Sequence, residues 1–180
     1  FNVVGTKNEE VFKNTVRELQ HHADIFDLMN LDQNSVMVIH GGGLYGDKEA
    51  SIKRWCDNYE RLPQSIKNRL VLENCERMFS VQDCLDVSRV TKVPVVFDTH
   101  HHECYKLLHK DNNLEEGGYY VEDILQTWKN KNVKPKFHVS EQGCGRTGHH
   151  SDYIETLPDY LLEIPEKHNT NIDIMIEAKM

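Results

Sequence analysis

Short apolar runs rich in β-branched residues recur along the chain, each closing on a polar residue before a stretch with helical spacing begins. Residues 36–40, Leu70–Glu73, 94–98, 136–140 and 172–177 read as five strands. Between them lie helical stretches: Glu9–Leu28, opened by Thr6 with Glu9 three residues on; 48–61, stopped by Pro63; 82–90, opened by Ser80 with Asp83; and 121–129. In the first, Val11, Val16, Leu19, Ala23 and Phe26 recur at helical spacing and mark a buried face. Strands alternating with helices predict an α/β domain of about five βα units on a parallel sheet. Residues 104–118, with Gly117-Gly118, and 141–148, with three glycines, read as long loops of the kind that carry function. No repeat or linker divides residues 1–180, which read as a single domain.

Hydrophobic residues make up 38% of the chain, enough to bury a core, so disorder is excluded. No run approaches the roughly 18 apolar residues of a membrane helix, and the amino terminus lacks the basic-then-apolar pattern of a signal peptide. The expectation is an intracellular protein with no membrane partner: cytoplasmic or nucleoid-associated in a bacterium, nuclear or mitochondrial in a eukaryote. Cys56, Cys75, Cys84, Cys104 and Cys144 form neither an even set nor a CxxC pair and read as reduced thiols. The formal net charge of -8 argues against a broad basic surface, although carboxylates that enclose divalent cations would cancel part of it. Eleven histidines exceed what packing usually asks for, and they cluster.

The polar residues that end the strands are of one type. His40 follows Val-Met-Val-Ile, Glu73 follows Val-Leu, Asp98 follows Val-Val-Phe, His138 lies within Lys-Phe-His-Val-Ser, and Glu177 follows Ile-Met-Ile. In parallel α/β proteins these strand ends converge on one face, where a buried carboxylate or imidazole is costly unless paired or bound to a metal. A His, Asp and Glu set without cysteine suits manganese, zinc or magnesium, with manganese and zinc leading. Phosphodiester hydrolysis needs an activated water on one side and a stabilised leaving oxygen on the other, which two ions sharing a carboxylate supply. Plainer readings stand beside these. A strand-end His or Asp often caps the next helix, and Gly41-Gly42-Gly43 after His40 suits either a ligand's close approach or an ordinary turn. In His100-His101-His102, strand alternation aims only some side chains at the pocket and leaves at least one for packing. Lys136 shares a strand face with His138, which aims it at the same pocket or into a salt bridge with Glu73 or Glu177. His21 and His22, within a helix, read as solvated.

Several longer motifs carry a family resemblance: Val-Ile-His-Gly-Gly-Gly with Gly-Asp-Lys-Glu at 46–49, Leu-Val-Leu-Glu-Asn at 70–74, Pro-Val-Val-Phe-Asp-Thr-His-His at 94–101, Lys-Phe-His-Val-Ser at 136–140, His-Ser-Asp-Tyr-Ile at 150–154, and Ile-Met-Ile-Glu-Ala-Lys at 174–179. In unbroken order over essentially the whole chain, this resembles the UV damage endonucleases. The resemblance implies a (β/α)8 TIM barrel like that of endonuclease IV, with up to three divalent ions in the intact enzyme, Mn2+ foremost and Zn2+ or Mg2+ as alternatives. It implies that His40, Glu73, Asp98, His101, His138 and Glu177 are metal ligands, with Glu73 bridging. His150 would complete the third site, with neighbouring His149 as the alternative register. Glu73 and Lys136 would be catalytic, and Lys136 matches a lysine that can be carboxylated near the metals. Phe1 would fall at or beside the aromatic position that probes damaged bases. One departure is Cys75, where the family usually has an acidic residue after Glu-Asn.

The resemblance further implies cleavage of damaged double-stranded DNA on the 5′ side of ultraviolet photoproducts and other lesions, with no obligate protein partner. A (β/α)8 barrel typically takes about 250 residues. Five strands therefore predict a partial barrel lacking the amino-terminal strands, with open edges that permit self-association. Two alternatives are kept: a metal-dependent sugar isomerase or epimerase on the same barrel, and a non-catalytic metal-binding fragment.

Overall fold

The protein is described by a computed structural model that covers residues 2–110, 113–131 and 133–179. Five strands, β1 (Met37–His40), β2 (Leu70–Glu73), β3 (Val95–Asp98), β4 (Lys136–Val139) and β5 (Asp173–Ile176), form one parallel sheet in sequential order β1-β2-β3-β4-β5. Strands laid down in chain order with helical crossovers build a barrel wall, whereas a doubly wound sheet reverses its order partway. All five carboxyl ends therefore lie along one rim. Among the described residues β1 and β5 each pair with one neighbour only. No described helix is long and apolar enough to cross a membrane.

The crossovers are α1 (Glu9–Leu28), α2 (Lys48–Glu60), α3 (Gln64–Lys67), α4 (Val81–Thr91), α5 (Thr99–Leu108), α6 (Val121–Trp128, led by a 3-10 turn over Gly117–Tyr120), α7 (Asp159–Leu162) and α8 (Ile164–His168). Ser80 caps α4 as its sequence predicts: its Oγ accepts from the Asp83 amide, and its own amide donates to the Asp83 carboxylate at 2.8 Å. The cap of α1 is Asn8 and not Thr6, because the Asn8 side chain accepts from the Glu10 and Val11 amides and Thr6 instead receives the Asn8 amide. Phe12 takes the buried position and Val11 turns outward. The stretch 104–118 is only partly loop, since α5 starts directly after β3 and runs to Leu108. Its face is hidden from a polarity pattern because three of its buried residues are His100, His101 and His102, with Cys104 and Tyr105 the apolar ones.

Between sheet and helices the core is filled by large side chains such as Trp55, Trp128, Phe97, Phe137 and Leu72. A second anchor is polar. Arg69, 6% exposed, leads into β2 and donates to the carbonyls of Leu31, Asp32 and Ser35 and to the Asp27 carboxylate at 2.7 Å. It thereby ties the end of α1 to the base of the sheet. Replacing Arg69 by Met removes its bonds to three part-buried carbonyls and should cost about 1–3 kcal/mol in urea unfolding. Asp27→Asn, whose side chain is largely exposed, should cost under about 1 kcal/mol.

Candidate metal centre

Strand register builds the site. His40 lies opposite Glu73 across β1 and β2, and Asp98 lies opposite His138 across β3 and β4. Beyond β5, the Glu177 amide donates to the Val139 carbonyl and brings the Glu177 carboxylate to the same rim. Glu73 is the hub. It is 5% exposed, its Oε1 lies 3.0 Å from His138 Nδ1, and its Oε2 lies 3.1 Å from His40 Nε2. The second contact of His138 Nδ1 is Glu177 Oε1, also at 3.0 Å.

Two sets of donor atoms each close to within 4.8 Å of one another: His40, Glu73 and His101, and Glu73, Asp98, His138 and Glu177. Ions bound at about 2.1 Å from each ligand need donors no more than about 4.2 Å apart, so small adjustments suffice. The strongest sign that a cation belongs here is Asp98. Its side chain is wholly buried and its Oδ2 has no hydrogen-bond donor among the described residues. An unsatisfied buried carboxylate oxygen is expensive, and a divalent ion satisfies it.

Electrostatics follow from this crowding. Burial lowers the pKa of His138, but the carboxylates of Glu177 and Glu73 outweigh it and hold the imidazolium up to about 10. Burial would raise Glu73, yet His138 and His40 draw it down to about 2. His138 likewise holds Glu177 at about 2, against burial. Burial pulls His40 down, and its bond to Glu73 more than restores it, raising its pKa. Asp98 is pushed up chiefly by burial. Protons on histidine thus occupy the electrostatic place of metal.

The remaining expected ligands are placed as follows. His101 reaches the cluster from the first turn of α5, where the Asp98 side chain accepts its amide at 2.7 Å. Its Nδ1 lies 3.0 Å from the Asn74 carbonyl, an arrangement that suits the tautomer protonated on Nδ1, in which Nε2 is the nitrogen open to a metal. His150, and not exposed His149, faces the site: its Nδ1 lies 3.2 Å from the Glu177 carbonyl and its ring centroid 5.7 Å from that of His101. The bridge between Gln142 and His150 brings it there. Gly143 makes the bridge possible, since a Cβ would stand 2.3 Å from the His150 carbonyl oxygen. The histidine triplet divides its work as expected, though by helical rotation and not strand alternation: His102 packs on Phe97 and Tyr120 with its Nε2 2.9 Å from the Glu115 carbonyl, while burial and the neighbouring His101 and His150 drop His100 to about 4. Lys136 pairs with neither Glu73 nor Glu177. Its Nζ binds Asp173 Oδ2 at 2.6 Å across the start of β4 and β5. Phe1 lies outside the described residues.

Two contributors had no role assigned from the sequence, although Asn74 closes the 70–74 motif and Cys75 stands out as a departure from the family pattern. Asn74, fully buried, binds the Asp98 backbone twice, through Nδ2 to its carbonyl and Oδ1 from its amide, both at 2.9 Å, and its own carbonyl orients His101. Cys75 Sγ accepts the amides of Met78 and Phe79 at 3.3 and 3.2 Å, the duty that a carboxylate would perform there. The legible signal was their place immediately after Glu73.

Comparison with known proteins agrees with this geometry. The profile of the family described as UV-endonuclease UvdE matches residues 1–180. A UV-damage endonuclease of Neurospora crassa is 35% identical over 202 residues, covering 100% of this chain and 30% of its own length. A UV DNA damage endonuclease of Bacillus cereus (strain B4264) is 32% identical over 181 residues, covering 99% and 55%. The crystal structure of SacUVDE superposes with a TM-score of 0.81 at 33% identity over 99% of this chain and 57% of that one. The apo 3-keto-D-glucoside 4-epimerase from E. coli, with a TM-score of 0.60 at 12% identity over 99% of this chain and 68% of that one, shares the fold alone. The chain spans about half the length, or less, of these endonuclease relatives.

Because a bound metal would displace the proton of His138 and any that His40, also raised, retains, Mn2+ binding to metal-free protein near neutral pH should release at least about one proton. Affinity should rise about tenfold per pH unit from neutrality towards the His138 pKa of about 10. Calorimetry in buffers of differing ionisation enthalpy reads both quantities, and a pH-independent affinity would contradict the assignment.

Proposed function

The chain belongs to the UV-endonuclease UvdE family, and from that membership we propose that it carries the metal-ligating wall of a DNA-repair endonuclease that nicks double-stranded DNA 5′ to ultraviolet photoproducts and other lesions. The observation that carries this reading is that one buried carboxylate, Glu73, belongs to both sets of ligand atoms, the arrangement a multi-ion phosphodiesterase needs. Divalent ions, Mn2+ first and Zn2+ or Mg2+ otherwise, up to three in the intact protein, supply charge stabilisation at the phosphoryl oxygens and activation of water.

The side chains do the rest. Glu73 would be shared between two ions, His40 and His101 would hold one, Asp98, His138 and Glu177 would hold the other, and His150 beside Glu177 would serve a further ion. Asn74 fixes Asp98 and His101 so that neither must reorganise when substrate arrives. Lys136, on the face of β4 that carries His138 and steadied by Asp173, is the cation beneath the ligands that offsets charge gathering in the reaction. A photoproduct weakens stacking, so drawing the lesion out of the helix costs less than for intact DNA, and damage favours its own selection. The enzyme works where the cell keeps its DNA. The free edges of β1 and β5 accept further strands of the barrel or, failing those, a second copy.

With Mn2+, the full-length protein should relax supercoiled plasmid irradiated with ultraviolet light and leave unirradiated plasmid intact. Glu73→Gln should slow nicking at least about a hundredfold and lower bound manganese. Equal nicking of both plasmids, or none of either, would refute the proposal.

A further inference from the structure

The loop that follows His40 carries an aromatic residue that the metal centre does not use. Tyr45 is 49% exposed and sits in the left-handed region at φ 53, a conformation uncommon for a bulky side chain. Such residues persist where the surroundings over-determine them and cluster at ligand clamps. Two cations converge on its ring: Lys7 Nζ lies 5.1 Å from the centroid and the Arg54 guanidinium 4.9 Å.

These cations differ from their neighbours. Lys48, in the same loop region, is spent on Asp83 and Tyr105, both at 2.7 Å. Neither Lys7 nor Arg54 is ion-paired with a carboxylate among the described residues. Arg54 is nevertheless held in place: Nε donates to the Gly5 carbonyl at 2.8 Å, Nη2 to Ser51 Oγ at 2.8 Å and Nη1 to the Ala50 carbonyl at 3.3 Å. Each terminal nitrogen keeps a second N–H, the fork that suits a phosphate. Of the carboxylates nearest these cations in sequence, Glu9 is paired with Arg61 and Asp57 with Lys53. The segment bearing Lys7 is fixed against the same loop, for a Cβ on Gly5 would lie 2.9 Å from the Gly41 carbonyl.

Tyr45 lies five positions after the candidate ligand His40, a span of at most about 18 Å. In a chain of net charge -8, an ordered and uncompensated pair of cations this close to the metal centre is a local exception. We propose that Lys7 and Arg54, aligned by the Tyr45 ring, bind a backbone phosphate of the DNA strand flanking the cleavage site, a contact that sets affinity and register without reading the lesion. The proposal rests on the DNA-endonuclease reading above.

The test uses full-length, Mn2+-loaded protein and two labelled duplexes, one carrying a single thymine dimer and its undamaged twin, with binding followed by anisotropy across a salt series. Lys7→Ala and Tyr45→Gly should each weaken binding to both duplexes alike, by about three- to tenfold, and make log K against log salt shallower by about one for Lys7→Ala. KM should rise with kcat unchanged, and Lys7→Arg should restore affinity. Bound manganese, read by electron paramagnetic resonance, should not change. Wild-type affinity and salt slope in Lys7→Ala would overturn the contact, as would a loss confined to the damaged duplex or one that tracks lost manganese. A wild-type protein that neither binds nor nicks DNA would instead overturn the endonuclease reading itself.

Discussion

A carboxylate that is 5% exposed cannot stay ionised unless positive charge is brought to it, and in this protein the rim of the sheet is organised around doing so for Glu73. His40 reaches it from the adjacent strand β1, His138 from β4, two strands away across β3, and His101 from the turn after β3. Two more acids crowd the same space, Asp98 with an unsatisfied oxygen and Glu177 on the far side of His138. One strongly held imidazolium does not balance three carboxylates. Two divalent cations would supply four positive charges against these three, and they would offer what protons cannot, open coordination positions for water and phosphate.

The precision of the cluster is set by parts that ligate nothing. Parallel pairing in sequential order puts the ligand-bearing ends of the strands at one level. Asn74 stitches the ends of β2 and β3 together, and Cys75 closes the turn that follows. Phe79 covers Gly41, where a Cβ would lie 2.3 Å from the aromatic ring, so the loop after His40 is pressed against the loop after Glu73. Arg69 performs the corresponding task at the opposite end of β2, where it steadies the wall and takes no part in chemistry.

The strands were legible within a residue or so because β-branched runs with a polar terminus have one physical reading in a parallel sheet. The strand-end members of the candidate site, His40, Glu73, Asp98, His138 and Glu177, were legible for the same reason, as polar residues where polarity is costly. What escaped was the chemistry of polar groups buried among themselves. Helix α5 shows little of an apolar stripe because half of its buried residues are histidines. Asn8, not Thr6, caps α1, a choice made by side-chain reach that spacing does not reveal. The partner of Lys136 is Asp173, its register mate across β4 and β5, and register between strands is invisible until the strands are laid side by side.

Anomalous X-ray scattering at the manganese edge, from a crystal of the full-length protein soaked in Mn2+, tests the shared-carboxylate centre most directly because it locates ions independently of activity. Two or more peaks should appear at the sheet rim, with Glu73 between them, His40 and His101 on one and Asp98, His138 and Glu177 on the other. A soaked crystal with no peak among these side chains, or with one that Glu73 does not touch, would contradict the account.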